Sequence, residues 1–213
     1  MFAKPYAKYY DLLNGDKPYK REIEFIYKWA GRPKWIFDIG CGTGSYWKYY
    51  PKRTEILGID KSPDMAAHRP GSIICSDIRS YRPKAIFDCA TALFDVINYI
   101  PVHDWWKNIP IAKGGYFIFD IWDKRKVDKE NFRSTVTKVN GVSRLIVPLG
   151  YDGKKVDLKI TVYEYEDLSF VETHRMYLYS HEDILGYAEL NGFKFICTRP
   201  TRKWQIWYKL RKK

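Results

Sequence analysis

Apolar residues follow two rhythms along this chain. Over residues 34–121, short apolar runs alternate with amphipathic or polar segments. Near-continuous runs predict strands over 34–39, Glu55 to Asp60, Ser72 to Ser76, Ala85 to Ala92 and Tyr116 to Ile121, the last entered through Gly114-Gly115. Before them, Ile23, Ile26, Tyr27 and Ala30 recur at spacings of three and four, predicting a helix over 17–30 that stops at Gly31. Short helices fit 45–50, Pro63 to His68 and 102–109, with Ser62 as N-cap and Pro63 at the first helical position. Residues 1–16, rich in tyrosine, read as a loop-like segment. Apolar strands alternating with helices predict a parallel sheet covered on both faces.

The second rhythm has period two. Residues 133–180 are rich in Val, Ile, Thr and Tyr, with Asn140-Gly141 and Asp152-Gly153 as hairpin turns. This block, at approximately 125–180, predicts a small antiparallel sheet inserted after the fifth strand of an α/β domain. A helix opening at Ser180 and ending at Asn191-Gly192 follows, and strands Phe193 to Thr198 and Trp204 to Leu210 close the chain.

Length and composition narrow the picture. The 213 residues fit one domain with an insertion, and 17% aromatic content is high enough to line a cleft as well as fill a core. Cys41, Cys75, Cys89 and Cys197 form no CxxC pair and read as buried, reduced thiols, with no metal site. The N-terminal residues lack the apolar core of a signal peptide, and no apolar run reaches membrane-spanning length, so a cytoplasmic protein with no membrane partner is expected. Net charge is +12, and residues 199–213 carry seven cations (Arg199, Arg202, Lys203, Lys209, Arg211, Lys212 and Lys213) and no acid. Such a run suits nucleic acid or an acidic substrate, or lysines guarding a sheet edge.

The chemistry concentrates where the first strand meets glycines. Trp35-Ile36-Phe37-Asp38-Ile39 runs into Gly40-Cys41-Gly42-Thr43-Gly44, a loop whose backbone can turn sharply and approach a ligand. The dinucleotide fingerprint places its third glycine one residue later. Asp60 ends the second strand, where a carboxylate can accept both ribose hydroxyl protons. Asp77 ends the third strand, and Leu93-Phe94-Asp95-Val96-Ile97-Asn98-Tyr99 follows the fourth.

These segments resemble the class I S-adenosylmethionine-dependent methyltransferases. Asp38 to Gly44, including Cys41, is similar to their first motif, Gly58 to Met65 to the second, Ser76-Asp77-Ile78 to the third and Phe87 to Tyr99 to the fourth. The resemblance implies a Rossmann-like seven-stranded sheet with its last strand antiparallel, and S-adenosylmethionine as cofactor. It implies cofactor contacts from Tyr19, Asp38, Gly40, Cys41, Gly42, Gly44, Asp60, Lys61, Met65, Asp77, Ile78, Leu93, Phe94 and Asn98.

The acceptor is less legible. The Asn/Asp-Pro-Pro-Tyr/Phe motif of amino-methylating nucleic-acid enzymes is absent, and no cysteine follows the fourth strand in the manner of the DNA cytosine-5 enzymes. Tyr6 to Asp11, with Tyr19, resembles the aromatic lid of small-molecule enzymes that N-methylate amino sugars or glycine, placing a lid over 1–30. In such enzymes the insertion roofs the pocket and can join a dimer, so a monomer or a homodimer through the inserted sheet is expected. A small-molecule amine or hydroxyl is therefore the expected acceptor. An RNA methyltransferase is the alternative, and a non-catalytic cofactor-binding protein the third reading. Candidate catalytic residues are Tyr10, to orient the acceptor or face the sulfonium, Asp95, to bind or deprotonate an amine, and His181, as a general base. Each has a structural alternative: lid packing, a helix N-cap and a capping or surface histidine. His174 is a weaker candidate, Arg175 suits a surface ion pair, and Trp105-Trp106 suit helix packing.

Overall fold

Burial of the first rhythm's apolar runs organises the central sheet. A computed structural model describes residues 4–102, 104–127, 133–200 and 204–213. Strands β1 (Trp35–Ile39), β2 (Glu55–Asp60), β3 (Ile73–Cys75), β4 (Phe87–Ala92) and β5 (Ile111–Trp122) run parallel, and β10 (Phe193–Pro200) and β11 (Gln205–Lys212) complete seven strands in the order β10-β11-β5-β4-β1-β2-β3. Among these, β11 alone is antiparallel to its neighbours β5 and β10. Strand order reverses between β1 and β4, the position at which open α/β sheets bind ligands.

Helices α2 (Tyr19–Trp29) and α5 (His181–Leu190) cover opposite faces of this sheet through two separate cores. Ser62 caps α3 (Pro63–Ala66) by accepting the Met65 N–H, and Ser180 and Asp183 form a reciprocal capping box on α5. The segments 45–49 and 104–108 are 3₁₀ turns, shorter than the expected helices. Trp106 is wholly buried against Phe117 and Phe119, so the tryptophan pair packs the core.

The insertion is a separate four-stranded antiparallel sheet: β6 (Thr135–Val139), β7 (Val142–Tyr151), β8 (Lys155–Glu164) and β9 (Asp167–Tyr177). Asn140-Gly141 turns the first hairpin with both residues at positive φ, and Tyr165-Glu166 turns the third in the same conformation without any glycine to announce it. The remaining turn follows Asp152, whose carboxylate accepts the Lys154 and Lys155 N–H groups.

Four sequence expectations need correction. Residues Lys4–Leu13 form a helix, α1, because Tyr6, Tyr9 and Leu13 make one face that buries against Val142, Ile160 and Val162 of the insertion. β5 begins at Ile111 and passes through Gly114-Gly115 as a bulge; a Cβ on Gly115 would lie 2.5 Å from the Asp88 carbonyl oxygen. The basic C-terminal run is not a free tail. Arg199 lies on the edge strand β10, but Lys209, Arg211 and Lys212 lie in β11, inside the sheet, where the Lys209 ammonium donates to the Trp29 carbonyl at 2.6 Å and Arg211 donates to the Gly114 carbonyl; Lys213, just after β11, pairs with Glu189. Arg202 and Lys203 lie outside the described residues. Of the cysteines, Cys41 and Cys89 are buried, whereas Cys75 is exposed and Cys197 partly so. Among the described residues no helix is long and apolar enough to cross a membrane.

Asn98 locks the insertion to the core. On α4 (Val96–Tyr99) it is wholly buried, donates to the Tyr177 carbonyl of β9 at 2.6 Å and accepts the Trp122 N–H of β5 at 3.0 Å. Asn98→Ala removes both of these hydrogen bonds and should cost about 2 kcal/mol. Urea unfolding checks this, and a midpoint equal to the wild type contradicts the tie.

Candidate functional site

The first strand and its loop are held by a buried carboxylate. Asp38 is 1% exposed; the Tyr46 hydroxyl and Trp47 indole N–H donate to its Oδ2 at 2.6 Å each, and the Thr91 hydroxyl donates to Oδ1 at 2.7 Å. Burial pushes its carboxyl up to about 6 against those three donors. Gly40, Gly42 and Gly44 all take positive φ. Gly40 abuts Val96, where a Cβ would fall 2.6 Å from the valine methyl, whereas a Cβ on Gly42 would meet nothing nearer than the Tyr10 ring at 3.8 Å. The loop is thus packed at one glycine and open towards a cavity at the next.

Two cavities adjoin at the carboxyl ends of these strands, one of about 230 Å³ and one of about 250 Å³, and Gly40, Asp60, Val96 and Tyr99 border both. Ile39, Ile59, Ile78 and Ile100 give the first cavity apolar walls suited to a flat ring, with Asp77, Lys61 and Arg79 at its polar side. Asp60 stands at the junction. Its Oδ2 accepts the Gly42 N–H and its Oδ1 the Ser62 N–H, both at 2.8 Å, so each oxygen retains a lone pair for a hydroxyl donor. Desolvation raises its carboxyl, and these backbone donors oppose the shift.

The second cavity lies between the glycine loop, α1 and the insertion. Tyr6 and Tyr10 of α1 face Ile146, Leu158 and Ile160 of the inserted sheet across it. Its third wall is the backbone after β4. Phe94 and Asp95 are consecutive residues at φ 65° and 72°, a conformation costing roughly 1–2 kcal/mol each for residues with a Cβ. Asp120 over-determines that turn: its carboxylate accepts the Phe94 N–H at 2.6 Å and the Asp95 N–H at 3.0 Å. Gln205 donates to both Asp95 and Asp120. Burial, then the neighbouring Asp95 charge, push the Asp120 carboxyl well above the usual carboxylate range. Arg144, which donates to the Tyr6 hydroxyl at 2.9 Å, also borders this cavity. Among the described residues no group of three or more His, Cys, Asp or Glu side chains could hold a metal ion.

No family model matches the chain. An uncharacterised protein of Methanocaldococcus jannaschii, MJ1252, is 26% identical over 182 residues, spanning 76% of this chain and 69% of that protein. An S-adenosylmethionine-dependent methyltransferase from Clostridium acetobutylicum superposes with a TM-score of 0.80 at 21% identity, covering 96% of each chain. CalS10 of Micromonospora echinaspora, an amino pentose methyltransferase with S-adenosylmethionine bound, gives 0.75 at 17% identity, covering 100% of this chain and 98% of its own. The fold is that of the class I S-adenosylmethionine-dependent methyltransferases.

Within this methyltransferase fold, the expected site residues separate into two groups. Gly40, Asp60, Lys61, Asp77 and Ile78 line the first cavity, and Tyr10, Cys41, Gly42, Met65, Leu93, Phe94 and Asp95 line the second. At the polar side of the first cavity Arg79 grips both oxygens of Asp77, Lys61 lies at 3.3 Å, and the Asp77 carboxyl is held well below the usual range. Asp95 makes no side-chain cap on α4, so the N-cap alternative falls.

Five expected residues line neither cavity. Asp38 spends its oxygens beneath the loop, and Asn98 spends its amide on the insertion. Gly44 only shapes the loop, because a Cβ there would strike Arg69 and Trp47. Tyr19 stands one layer back, stacked on Tyr46 and edge-on to Phe94. His181 is exposed at the start of α5, with its Nδ1 3.0 Å from the Tyr208 hydroxyl and its ring against Phe195. The surface-histidine alternative describes it. Arg175 forms the expected surface pair, with Asp157.

The sequence reading missed Asp120, Gln205, Tyr99 and Arg144. Asp120 did carry a signal, a lone acid within the apolar run Phe117 to Ile121 near a strand's carboxyl end. Gln205 and Arg144 had none, since only long-range folding brings them to the loop.

Asp38 gives a pH-dependent prediction. Its carboxyl sits above its unfolded value, so the stability it lends its protonated form is present below pH 4 and is lost as pH rises through about 6. The wild type should therefore lose up to about 3 kcal/mol from this group between those limits. Asp38→Asn, which cannot ionise, should show a correspondingly flatter profile in urea titrations at pH 4 to 7. Parallel profiles for the two proteins contradict the assignment.

Proposed function

We propose that the protein transfers the methyl group of S-adenosylmethionine to an amine of a small molecule. The observation that carries this reading is the second cavity. It adjoins Asp60 and the open side of Gly42, is roofed by α1 and the inserted sheet, and has Asp95 with its Asp120 support in its wall. When bound, the cofactor supplies a methyl group on a sulfonium, whose carbon–sulfur bonding pair stays on sulfur as the methyl leaves.

The residues fit that cofactor. Asp60 keeps lone pairs for two ribose hydroxyls, and the isoleucine walls of the first cavity suit adenine. Gly42 leaves room beside the Tyr10 ring, whose face can meet a cation. Tyr10 stays a neutral phenol, because burial raises its hydroxyl well above its ordinary value. The protein's task is then placement and exclusion of water, which converts an encounter into an intramolecular step. Asp95 can accept an N–H of the incoming amine, fixing its lone pair towards the methyl. A hydroxyl acceptor would use the same contact, but the paired carboxyls favour an amine. CalS10, similar in fold, acts on an amino pentose, which supports an amine acceptor. The RNA reading rested on the net charge of +12 and the basic C-terminal run, and Lys209, Arg211 and Lys213 of that run are committed to Trp29, Gly114 and Glu189 within the fold.

Asp60→Ala should weaken S-adenosylhomocysteine by about a hundredfold in calorimetry, because two charge-assisted bonds are lost. Unchanged affinity sinks the ribose assignment. Tritium from labelled cofactor should appear in a panel of primary amines and nucleotide-linked amino sugars. Labelling of tRNA alone would reverse the choice of acceptor.

A further inference from the structure

A buried histidine stands behind the second cavity. His174, on β9, is 1% exposed; its Nε2 lies 2.7 Å from Glu172 Oε2, and its Nδ1 lies 3.2 Å from the Tyr99 hydroxyl. Tyr99 ends α4 and borders both cavities, so its position spans cofactor and acceptor. The pair of contacts fixes the tautomer. An ionised carboxylate only accepts, so the imidazole proton sits on Nε2 and the Nδ1 lone pair accepts the Tyr99 O–H. The phenol oxygen is thereby turned into an acceptor.

We infer that Tyr99 takes the proton released by the acceptor nitrogen, with His174 and Glu172 as positioning residues that pass it away from the site. The inference rests on the amine-methylating reading above. Once the nitrogen has formed its fourth bond, it carries a proton it must lose. That proton moves to Tyr99 Oη, its bonding pair remaining on nitrogen, while the proton of Tyr99 moves to His174 Nδ1. Glu172 stabilises the resulting imidazolium, and no oxidant or reductant is involved. Burial raises the Tyr99 hydroxyl well above its ordinary value, so the phenol acts as a conduit and not as a standing phenolate. Asp95, held by Gln205 and Asp120, binds the amine, and the two tasks fall to different groups.

The surroundings of the imidazole are mixed. Tyr6 of α1 meets it edge-on at 6.3 Å with its hydroxyl held by Arg144 of β7, and Leu158 pairs opposite it on β8. Glu172 lies on its own strand, Tyr99 on α4, and the Asp95 charge reaches Tyr99. Glu172 is thus the anion that touches the ring, and Arg144 a cation one residue removed.

Sinefungin tests the relay, because it carries an amine in place of the sulfonium methyl and reports the position without an acceptor. Calorimetry should compare it with S-adenosylhomocysteine on the full chain. Tyr99→Phe should reduce the preference for sinefungin about tenfold, the loss of a hydrogen bond to a charged group, and change S-adenosylhomocysteine little. His174→Phe, which removes the Nδ1 acceptor of the Tyr99 proton, should reduce the same preference and change S-adenosylhomocysteine little. Equal weakening of both ligands by Tyr99→Phe, or a preference unchanged in His174→Phe, overturns the relay. Nitrogen-15 histidine spectra of the wild type give a check independent of any variant's folding: a proton on His174 Nδ1 in the neutral form also overturns it. If the wild type binds neither ligand, the cofactor reading itself fails, and the relay with it.

Discussion

The carboxylate of Asp38 is the contact on which the rest of the site depends. It receives donors from the 3₁₀ turn after the glycine loop, Tyr46 and Trp47, and from β4, Thr91. A buried carboxylate is costly unless its lone pairs are filled, so the three donors are bound to it as much as it to them. That requirement fixes where the chain goes after Gly44 and how β4 lies beside β1. The glycine loop then has one conformation, with Gly40 on Val96 and Gly42 facing the cavity.

The second wall uses the same device with a different result. Asp120 holds Phe94 and Asp95 in a left-handed turn that neither side chain prefers. The strain is local and its support comes from β5 and β11, through Asp120 and Gln205. Asp95 is therefore placed by the central sheet and not by a loop of its own, which suits the acceptor-binding part proposed for it. The inserted sheet contributes differently. It supplies apolar cover from Ile146, Leu158 and Ile160, seats α1 on Val142, Ile160 and Val162, and brings His174 behind Tyr99.

Much of this was readable along the chain because the signals were local. The glycine loop, Asp60 at a strand end, the Ser62-Pro63 cap and the Asn140-Gly141 turn each depend on residues within a few positions of one another. α1 was missed because its face is built of tyrosines, whose helical spacing becomes meaningful only against the insertion. The charged run at 209–213 read as surface because its lysines looked solvated. In the fold the Lys209 and Lys212 ammonium groups reach the carbonyls of Trp29 and Asn191, and the Lys209 nitrogen also stands 3.8 Å over the Tyr116 ring. His181 and Asn98 were placed near the site by their position after a strand, yet face the other way. Sequence position cannot tell which side of a helix start points at a ligand.

The sequence by itself determined the order of the strands and the glycine loop at their carboxyl ends, because backbone conformation and strand burial are set by neighbours in the chain. Tertiary structure alone decided which polar groups support the walls of the cavities from behind. Asp120, Gln205, Tyr99 and His174 come from β5, β11, α4 and β9, and Gln205 lies 110 positions from the Asp95 it meets. Their meeting depends on strand order and on the insertion folding back against α4. Packing across the whole sheet sets those distances, and no local pattern encodes them.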